Sequence, residues 1–577
     1  MIRTVFSRQG NRKIFAVVLF FSIASSLQVF AQSDTIQTNV PHLKTVYAKD
    51  FYIGCLLSYR NIGFPTDSAV SGQSTVITPN GGYLIKYHMN SMSPGNNMKP
   101  MYTVNITASA AAYKAAATQA QKDSINIHPI IQFNGDLIAQ LNWVRRQGFT
   151  FRGHTLVWHA QTPTEFFRTG FATTAPYVSK DTMSMRMDFY MEEIVRLIHQ
   201  GWPGLLSAID IVNEAIDDGT GKVRTTGNEW YATFHDSSYI MRAFQLARQY
   251  TVQFGETQIK LYYNDYNTDV SSKANGIVAL LTPIYQAGYL DGIGMQNHNS
   301  ITTPTAAAFI ASYNKFYPIC SEMAVTEFDV STNSGTNSPS AAILAQQANQ
   351  YGQLFKCFVE RSYKSGRGKI ISVSKDGLND QYTFVTNQST SLWNTLNLCK
   401  PAFFAAVDVG TNYNALDSLI TYADSLKQGG YTSTSWSNLA TNLTSAKTVR
   451  SQNYSFAVSA DTALALALNN VQSAINSLVV TSVTEIGTTP KVFALGQNYP
   501  NPFNPATRIN YSIPVSGLVS LKVFNILGSE VATLYSGQRQ AGDYSITFDA
   551  GGLPSGVYFY RLQSSTFSET KKLILMK

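Results

Sequence analysis

Residues 51 to 410 alternate between short segments rich in apolar and β-branched residues and longer segments whose apolar residues recur at helical spacing. The helical spacing is clearest over residues 187–198 and 239–247. We interpret the short segments, each ending in a polar cluster, as eight strands: 51–58, 84–91, 150–158, 208–215, 259–267, 292–298, 323–330 and 369–374. Strands that are each followed by a helix over about 360 residues predict an α/β fold, a (β/α)₈ TIM barrel with insertions spanning residues 45–410.

The unusual polar residues of this region follow the predicted strands, where the βα loops of a barrel form its active site. They are His154 and His159, Asn213 and Glu214, residues 264–267, Gln296 and His298, and Glu327 and Asp329. Glu214 and Glu327 are the pair of greatest interest, because hydrolysis of a glycosidic bond uses one protonated and one ionised carboxyl group flanking the anomeric carbon. At a separation of about 5–5.5 Å the ionised group attacks directly and configuration is retained. The other glutamate keeps its proton if its surroundings are apolar or carry a negative charge.

The charge of the chain is unevenly distributed. There are 43 Lys and Arg residues against 35 Asp and Glu, a formal net charge of +8. Arg3, Arg8, Arg12 and Lys13 precede an apolar run over 14–27, and small residues follow it. This three-part pattern predicts a signal peptide over residues 1–31, with an uncleaved N-terminal anchor as the alternative, and no membrane span in the mature form. Because the body of the chain is nearly neutral, we do not expect a nucleic-acid partner.

Beyond the barrel the pattern changes twice. Residues 414–480 have apolar residues at helical spacing throughout, which predicts a three-helix module with the simple role of a spacer. Residues 481–492 are typical of a linker. Residues 493–577 contain short alternating segments, separated by turn signals such as those of 549–556, and predict a small all-β sandwich with strands over 508–513, 519–524, 544–548 and 557–562.

The four cysteines are Cys55, Cys320, Cys357 and Cys399. Export would allow disulfides, and four cysteines allow three complete pairings, but a buried free thiol is an equally good interpretation of each one. Their wide spacing differs from that of a zinc knuckle or a redox pair, and the histidines lack the spacing of a zinc-binding His/His/carboxylate set. We predict no metal and no other cofactor.

Five ordered segments resemble glycoside hydrolase family 10, the β-1,4-xylanase family with a (β/α)₈ barrel and a retaining mechanism. They are 152–159 (RGHTLVWH), 210–215 (DIVNEA), 264–267 (NDYN), 294–298 (GMQNH) and 326–329 (TEFD). The resemblance covers residues 45–408 and implies that Glu214 is the acid/base and Glu327 the nucleophile. It implies that Asn213 binds the sugar 2-hydroxyl, and that His298, backed by Asp329, keeps Glu327 in place and ionised. The other substrate-binding residues that it implies are Asn96, Lys99, His154, Gln161 and Gln296 for the glycone, with Trp158 and Tyr266 as walls of the cleft.

Several positions depart from the family pattern. Where the family usually reads TPENEMKW, residues 93–100 read SPGNNMKP, so Gly95, Asn97 and Pro100 replace two glutamates and a tryptophan. Ser374 opens the segment SKDG at a place where the family has a tryptophan followed by glycine, and Ile209 replaces another tryptophan. We expect the reaction type to be kept and substrate binding to be weakened or redirected. The leading hypothesis is a retaining endo-β-1,4-xylanase; the alternatives are a retaining glycosidase for another or a decorated β-glycan, and a catalytically weak carbohydrate-binding surface protein.

Residues 493–577 closely resemble the type A C-terminal sorting domain of the type IX secretion system. The resemblance depends on 498–505 (NYPNPFNP), 556–558 (GVY) and the basic pair Lys571 and Lys572. It implies an address that is recognised in the periplasm and used to cross the outer membrane. We therefore expect a secreted or cell-surface protein whose partners are a polysaccharide and the type IX machinery.

Overall fold

The computed structural model describes residues 36–61, 68–71, 77–78, 80–362, 366–381, 387–451, 460–479, 490–526 and 528–576. The predicted signal peptide lies outside these residues, as does most of the predicted linker. The chain divides into two compact units, one built from residues up to 426 together with 437–477, and the other from 427–436 together with 478–577.

Parallel strands close a barrel in the first unit. They are β1 (Tyr52–Asn61), β2 (Ser91–Ser93), β3 (Thr150–Trp158), β4 (Leu206–Asn213), β5 (Lys260–Asp265), β6 (Gly292–Met295), β7 (Glu322–Ser331) and β8 (Lys369–Asp376). Each strand pairs with the next one along the chain, and β8 returns to pair with β1, Tyr52 lying opposite Ser372. Since helices cover the outside, nearly all strand residues are buried, as is typical of parallel sheets. The predicted barrel is confirmed.

The predicted second strand, residues 84–91, is wrong. Residues 84–91 do not form a strand: Gly81–His88 is a helix, and β2 begins only at Ser91. Leu84, Ile85 and His88 are buried on that helix, and His88 lies four and three positions after the other two, the spacing that gives a shared face of a helix. The apolar run is short, and periodicity alone does not separate a buried strand from a short buried helix.

The predicted sixth strand, 292–298, is interrupted. β6 ends at Met295, and Asn297 has a left-handed backbone with φ of 59°. A separate short strand, His298–Ser300, then pairs with the end of β7. The interruption moves His298 off β6 and next to Asp329, its partner in the register of the new pairing.

Helices between the strands form the outer layer. Those after β1 to β8 are Gly81–His88, Pro100–Thr103, Ile106–Ala115, Gln119–Ile127, Gly135–Gln147, Lys180–Gly201, Glu229–Phe234, Ser238–Gln253, Ser271–Gln286, Ala306–Phe316, Ala341–Ser362 and Pro401–Ser425; a short helix, Leu43–Val46, precedes β1. Lys180–Gly201 illustrates their packing, because the face predicted from Met187, Met191 and Ile194 is the face that it buries against the barrel.

The last barrel helix, Pro401–Ser425, runs through the domain boundary that the sequence places between residues 410 and 414. Two further helices, Ser433–Ser451 and Ala460–Asn476, complete the helical region. Residues 437–477 belong to the compact unit of the barrel. Arg450, only 2% exposed, joins the two parts, because its guanidinium lies 2.7 Å from Asp417 and 3.5 Å from Asp50.

A β-sandwich fills most of the second unit, as predicted. Its strands are β9 (Ala494–Leu495), β10 (Ala506–Ile513), β11 (Gly517–Phe524), β12 (Glu530–Arg539), β13 (Gly542–Asp549), β14 (Gly556–Ser564) and β15 (Ser568–Leu575). One sheet has the order β9-β10-β13 and the other the order β12-β11-β14-β15. Every second residue of β10 is buried between the sheets, which is the alternation that a two-sheet core requires. The sequence prediction omits β9, β12 and β15.

All four cysteines are free thiols. Cys55, Cys320 and Cys357 are buried and Cys399 is partly exposed. Burial raises the pKa of the Cys357 thiol to about 12, so it behaves as a small apolar residue of the core. Within the described residues, no helix combines the length and the apolar character that crossing a membrane requires.

Candidate active site

Glu214 follows β4 directly, at the carboxyl end of the barrel. Its backbone is left-handed, with φ of 54°, a conformation that costs a residue with a Cβ about 1 kcal/mol and persists where the surroundings fix it. The N–H of Glu214 donates to the carbonyl oxygen of Asn264 across 2.9 Å. The next N–H, that of Ala215, donates to the hydroxyl of Tyr263 across 3.1 Å. These bonds hold the turn that carries the carboxylate.

Both carboxylate oxygens of Glu214 accept hydrogen bonds. The indole Nε1 of Trp158, at the end of β3, donates to Oε2 across 2.8 Å. The amide Nε2 of Gln296, just after β6, donates to Oε1 across 2.8 Å. Two donors on different strands therefore fix the orientation of the partly exposed carboxylate.

Glu327 lies within β7 and is 7% exposed. Its Oε1 accepts from Nδ2 of Asn264 across 3.0 Å, and its Oε2 lies 3.5 Å from Nε2 of His298. Burial raises the pKa of Glu327, but the hydrogen bond from His298 and the positive charges of His154, His298 and Lys99 outweigh burial and lower the pKa to about 2. The carboxylate is therefore ionised at neutral pH.

Three amides connect the two glutamates. Oδ1 of Asn213 accepts from Nδ2 of Asn264 (3.0 Å) and from Nε2 of Gln296 (3.4 Å). Because Gln296 also binds Glu214 and Asn264 also binds Glu327, one continuous network runs from one carboxylate to the other. The network brings the ends of β4, β5, β6 and β7 together over the barrel.

His298 faces carboxylates on more than one side. Its Nδ1 lies 3.4 Å from Asp329. One ring nitrogen of His298 and one carboxylate oxygen from each of Asp329 and Asp376 lie within 4.8 Å of one another. Burial lowers the pKa of His298, yet Asp329, Glu327 and Asp376 together raise it well above its usual value. A protonated ring donates from both nitrogens, so it satisfies Asp329 and Glu327 at once. Nε2 of His298 faces Glu327 and therefore already interacts with that carboxylate.

Lys99 is the centre of a second group, after β2. It is 1% exposed, and its Nζ donates to the side-chain oxygens of Asn96 and Gln161, each across 2.8 Å. The ammonium lies 4.6 Å from the ring centroid of Trp158. Burial lowers the pKa of Lys99 to about 8, and the charges of Glu327 and Glu214 oppose that fall.

His154 and Tyr266 stand on two other sides of the site. Nδ1 of His154 lies 2.9 Å from Asp210, which also pairs with Arg152. The Asp210 carboxylate therefore fixes the orientation of the imidazole ring. Tyr266 follows β5, and its hydroxyl accepts from Nη2 of Arg224 across 3.4 Å. Burial and a hydrogen bond to Asp218 raise the pKa of Tyr266, and the charge of Glu214 adds to the rise.

The departures from the family pattern lie in the same region. Pro100 begins the short helix Pro100–Thr103, directly after Lys99, and Asn97 is buried and accepts from Asn134 across 3.3 Å. At the end of β8, Asp376 is 2% exposed and close to His298. A carboxylate therefore lies at the end of β8, close to His298.

Sequence reasoning assigned no individual role to several residues that the structure brings into the site. Asn264 touches both Asn213 and Glu327, and Asp210 orients His154. Both belong to segments that the sequence marks as important, but the roles predicted there fall on neighbouring residues. Lys273 carries no sequence signal, because it lies on a helix and one of its carboxylate partners, Asp218, is 55 residues away in the chain.

Comparisons with known proteins agree with this geometry. Residues 42–409 match the glycosyl hydrolase family 10 domain, and residues 497–576 match the secretion system C-terminal sorting domain. The chain is 30% identical over 407 residues to endo-1,4-β-xylanase Y of Acetivibrio thermocellus, covering 68% of this chain and 34% of that protein. It is 30% identical over 364 residues to a bifunctional endo-1,4-β-xylanase of Ruminococcus flavefaciens, covering 63% of this chain and 33% of that protein. The chain thus spans about a third of the length of these two relatives.

A solved structure is similar as well. The endo-1,4-β-D-xylanase 10B modules of Clostridium thermocellum, crystallised with xylohexaose, superpose with a TM-score of 0.54 at 29% identity. The match covers 65% of this chain and 68% of that chain.

The closed parallel barrel carries two glutamates at the carboxyl ends of its strands, and a network of amide hydrogen bonds connects them. This arrangement defines the class of barrel glycosidases. Within that class, the chain belongs to glycosyl hydrolase family 10.

Proposed function

We propose that the protein is a secreted, retaining endo-β-1,4-xylanase that hydrolyses internal bonds of xylan by double displacement. One observation carries the proposal: Glu214 and Glu327 belong to one hydrogen-bond network, yet their surroundings differ. Glu327 is buried and faces positive groups, whereas Glu214 is partly exposed and has neutral donors. Two carboxyl groups with different surroundings suit the two different roles of a retaining mechanism.

In the first step, the ionised Glu327 attacks the anomeric carbon. The bond from that carbon to the leaving oxygen breaks, and Glu214 gives its proton to that oxygen. A covalent glycosyl ester on Glu327 results. In the second step Glu214, now ionised, takes a proton from water, the water oxygen bonds to the anomeric carbon, and Glu327 departs as a carboxylate.

The surrounding residues suit the recognition of a neutral sugar chain. We assign Asn213 to the 2-hydroxyl, where a hydrogen bond strengthens in the transition state. Lys99, Asn96, Gln161, His154 and Gln296 offer polar groups to the glycone. Trp158 and Tyr266 offer flat rings, on which the C–H face of a pyranose packs.

Activity measurements and product analysis on the full chain test this proposal. Purified protein is expected to release reducing sugar from xylan, and NMR is expected to detect the β-anomer as the first product. Glu327→Ala is expected to be inactive, and added azide is expected to restore cleavage: it bonds to the anomeric carbon from the vacated side while the leaving oxygen departs with the proton of Glu214, and the product is an α-glycosyl azide. Release of the α-anomer first, or activity of Glu327→Ala without an added anion, would contradict the mechanism.

A second substrate class is favoured by the altered glycone region. Gly95, Asn97 and Pro100 replace larger or charged residues, and a carboxylate, that of Asp376, stands near His298. We propose a different or a decorated β-glycan as the alternative substrate. A panel of xylan, arabinoxylan, mixed-linkage glucan and cellulose separates the two; hydrolysis of none of them favours a carbohydrate-binding surface protein.

We further propose that residues 493–577 direct the protein through the periplasm and out of the cell by the type IX secretion system. The match of residues 497–576 to a sorting domain and the separate β-sandwich support this role. A chain ending at residue 492 is expected to accumulate in the periplasm. Normal export of that chain would contradict the role.

A further inference from the structure

A buried ion-pair cluster lies beside the proposed catalytic pair, and the proposed reaction does not use it. Lys273, in the first turn of the helix Ser271–Gln286, has no exposed surface. Its Nζ lies 2.8 Å from Oδ1 of Asp265, 2.6 Å from Oδ1 of Asp218, and 3.5 Å from the ring centroid of Tyr266. One ammonium group thus contacts two carboxylates and an aromatic face.

The first connection from Lys273 leads to the turn of Glu214. Asp265, also fully buried, accepts a hydrogen bond from the hydroxyl of Tyr263. That hydroxyl accepts from the N–H of Ala215, next to the left-handed Glu214. Burial raises the pKa of Asp265, Lys273 and the Tyr263 hydroxyl oppose the rise, and the result is about 7. Loss of Lys273 would favour protonation of Asp265 and disturb its bond with Tyr263.

The second connection leads to the proposed cleft wall. The carboxylate of Asp218 lies close enough to the hydroxyl of Tyr266 to help raise its pKa, while Lys273 lies over the ring of the same residue. Asp218 belongs to the loop that follows Glu214. The ring is therefore fixed both at its face and at its hydroxyl.

The backbone of that loop is packed directly on the helix of Lys273. A Cβ on Gly276 of the helix would lie only 2.1 Å from the carbonyl oxygen of Gly221 in the loop. Gly221 is itself left-handed, with φ of 63°, and a Cβ there would lie 2.8 Å from the carbonyl oxygen of Ser272. The close approach requires glycine at both positions and anchors the loop independently of the ion pairs.

We infer that Lys273 is a positioning residue for the leaving-group side of the cleft, where it fixes the acid/base turn and the Tyr266 ring together. The inference rests on the proposed function, because an acid must lie beside the leaving oxygen that it protonates. Lys273 itself touches neither glutamate of the pair. It acts through Asp265 and Tyr263 on one side and through Asp218 on the other.

This role predicts a dependence on the leaving group. A sugar leaving group needs a proton from Glu214 and packing on Tyr266, whereas 2,4-dinitrophenolate departs without a proton. For Lys273→Met in the full chain, kcat/KM for xylotetraose is expected to fall about 10- to 100-fold, part of the effect of losing a general acid. For 2,4-dinitrophenyl β-xylobioside, the fall is expected to stay within about threefold, because its glycone contacts and nucleophile are unchanged.

Two further variants keep the test decisive. Asp218→Asn alters a 40% exposed carboxylate, folds without a buried unpaired charge, and is expected to shift the two substrates in the same direction by a smaller factor. Lys400→Met is the matched control, because Lys400 is another buried lysine in an ion pair, with Asp380 at 2.9 Å. Its effect is expected to be equal on both substrates.

The outcomes separate this inference from the proposed function. Equal losses on both substrates in Lys273→Met and in Asp218→Asn would overturn the positioning role. An unmodified chain that cleaves neither substrate would instead overturn the proposed function.

Discussion

The indole Nε1 of Trp158 donates a hydrogen bond to Oε2 of Glu214 across 2.8 Å. The centroid of the same indole ring lies 4.6 Å from the ammonium of Lys99. Trp158 therefore contacts the residue proposed as acid/base and a residue proposed to bind the glycone. Its nitrogen and its ring face can be tested separately.

Trp158→Phe keeps a ring and removes the N–H. Glu214 becomes a carboxylate as it gives up its proton in the transition state, and a hydrogen bond to a charged group contributes about 1.5–3 kcal/mol, so kcat/KM is expected to fall roughly 10- to 100-fold while KM changes little. The measurement is steady-state kinetics on xylotetraose. Trp202→Phe is the control, because it removes a similar indole bond, to Asn142 at 2.9 Å, elsewhere in the barrel. Equal effects of the two substitutions would show that the bond to Glu214 has no special role.

Glu214→Gln keeps the shape of the side chain and removes its ability to transfer a proton. General acid–base catalysis contributes about 10²- to 10⁴-fold, so kcat is expected to fall by that factor. Calorimetric titration with xylotetraose is expected to give a Kd close to that of the unmodified protein. A variant that turns over at nearly the normal rate would exclude Glu214 as the acid/base.

His298→Asn removes the group that does most to keep the pKa of Glu327 low. Burial then acts with less opposition, so the pKa of Glu327 rises from about 2. Because the nucleophile must be ionised, the acid limb of the pH profile of kcat/KM is expected to move to higher pH. In the unmodified protein, Glu327 stays ionised throughout the mildly acidic range. His128→Asn, at an exposed histidine, is expected to leave the acid limb where it is; a similar movement there would contradict the explanation.

Asn498 supports the start of the sandwich. It is 1% exposed, and its Nδ2 donates to the hydroxyl of Thr507 across 3.0 Å and to the carbonyl oxygen of Pro500 across 3.1 Å. Asn498→Ala leaves polar partners buried, so the free energy of unfolding of the sandwich is expected to fall by about 2 kcal/mol. Scanning calorimetry of the full chain measures the change. Asn504→Ala, at an exposed position of the same motif, is expected to change it little.

The barrel and the region of its site were predictable because the residue type changes from apolar to polar where each strand ends. Polar residues after apolar runs, such as Asn213 and Glu214 after β4, mark the face where the loops open. The second strand was not predictable in this way, because Leu84, Ile85 and His88 are apolar or aromatic at a spacing that a short run does not resolve. The length of Pro401–Ser425 was equally hidden, since Gly410 and Asn414 are residues that often end helices but lie inside this one.

The supporting contacts were beyond prediction for a different reason. Lys273 and Asp218 are brought together by the closure of the barrel, and no local pattern encodes that distance. The left-handed backbone of Glu214 depends on the carbonyl oxygen of Asn264, a partner on the neighbouring strand. Spacing along the chain predicts which residues reach the mouth of the barrel; only the folded structure determines which donor each of them meets.

The four free thiols have a consequence for where this chain can fold. Because no covalent cross-link joins its parts, the native state does not depend on an oxidant, on a disulfide isomerase, or on the order in which cysteines emerge. The barrel can reach its final form in a reducing compartment as well as in an oxidising one. If the chain is exported as proposed, its persistence outside the cell would depend on packing and not on the redox chemistry of the medium.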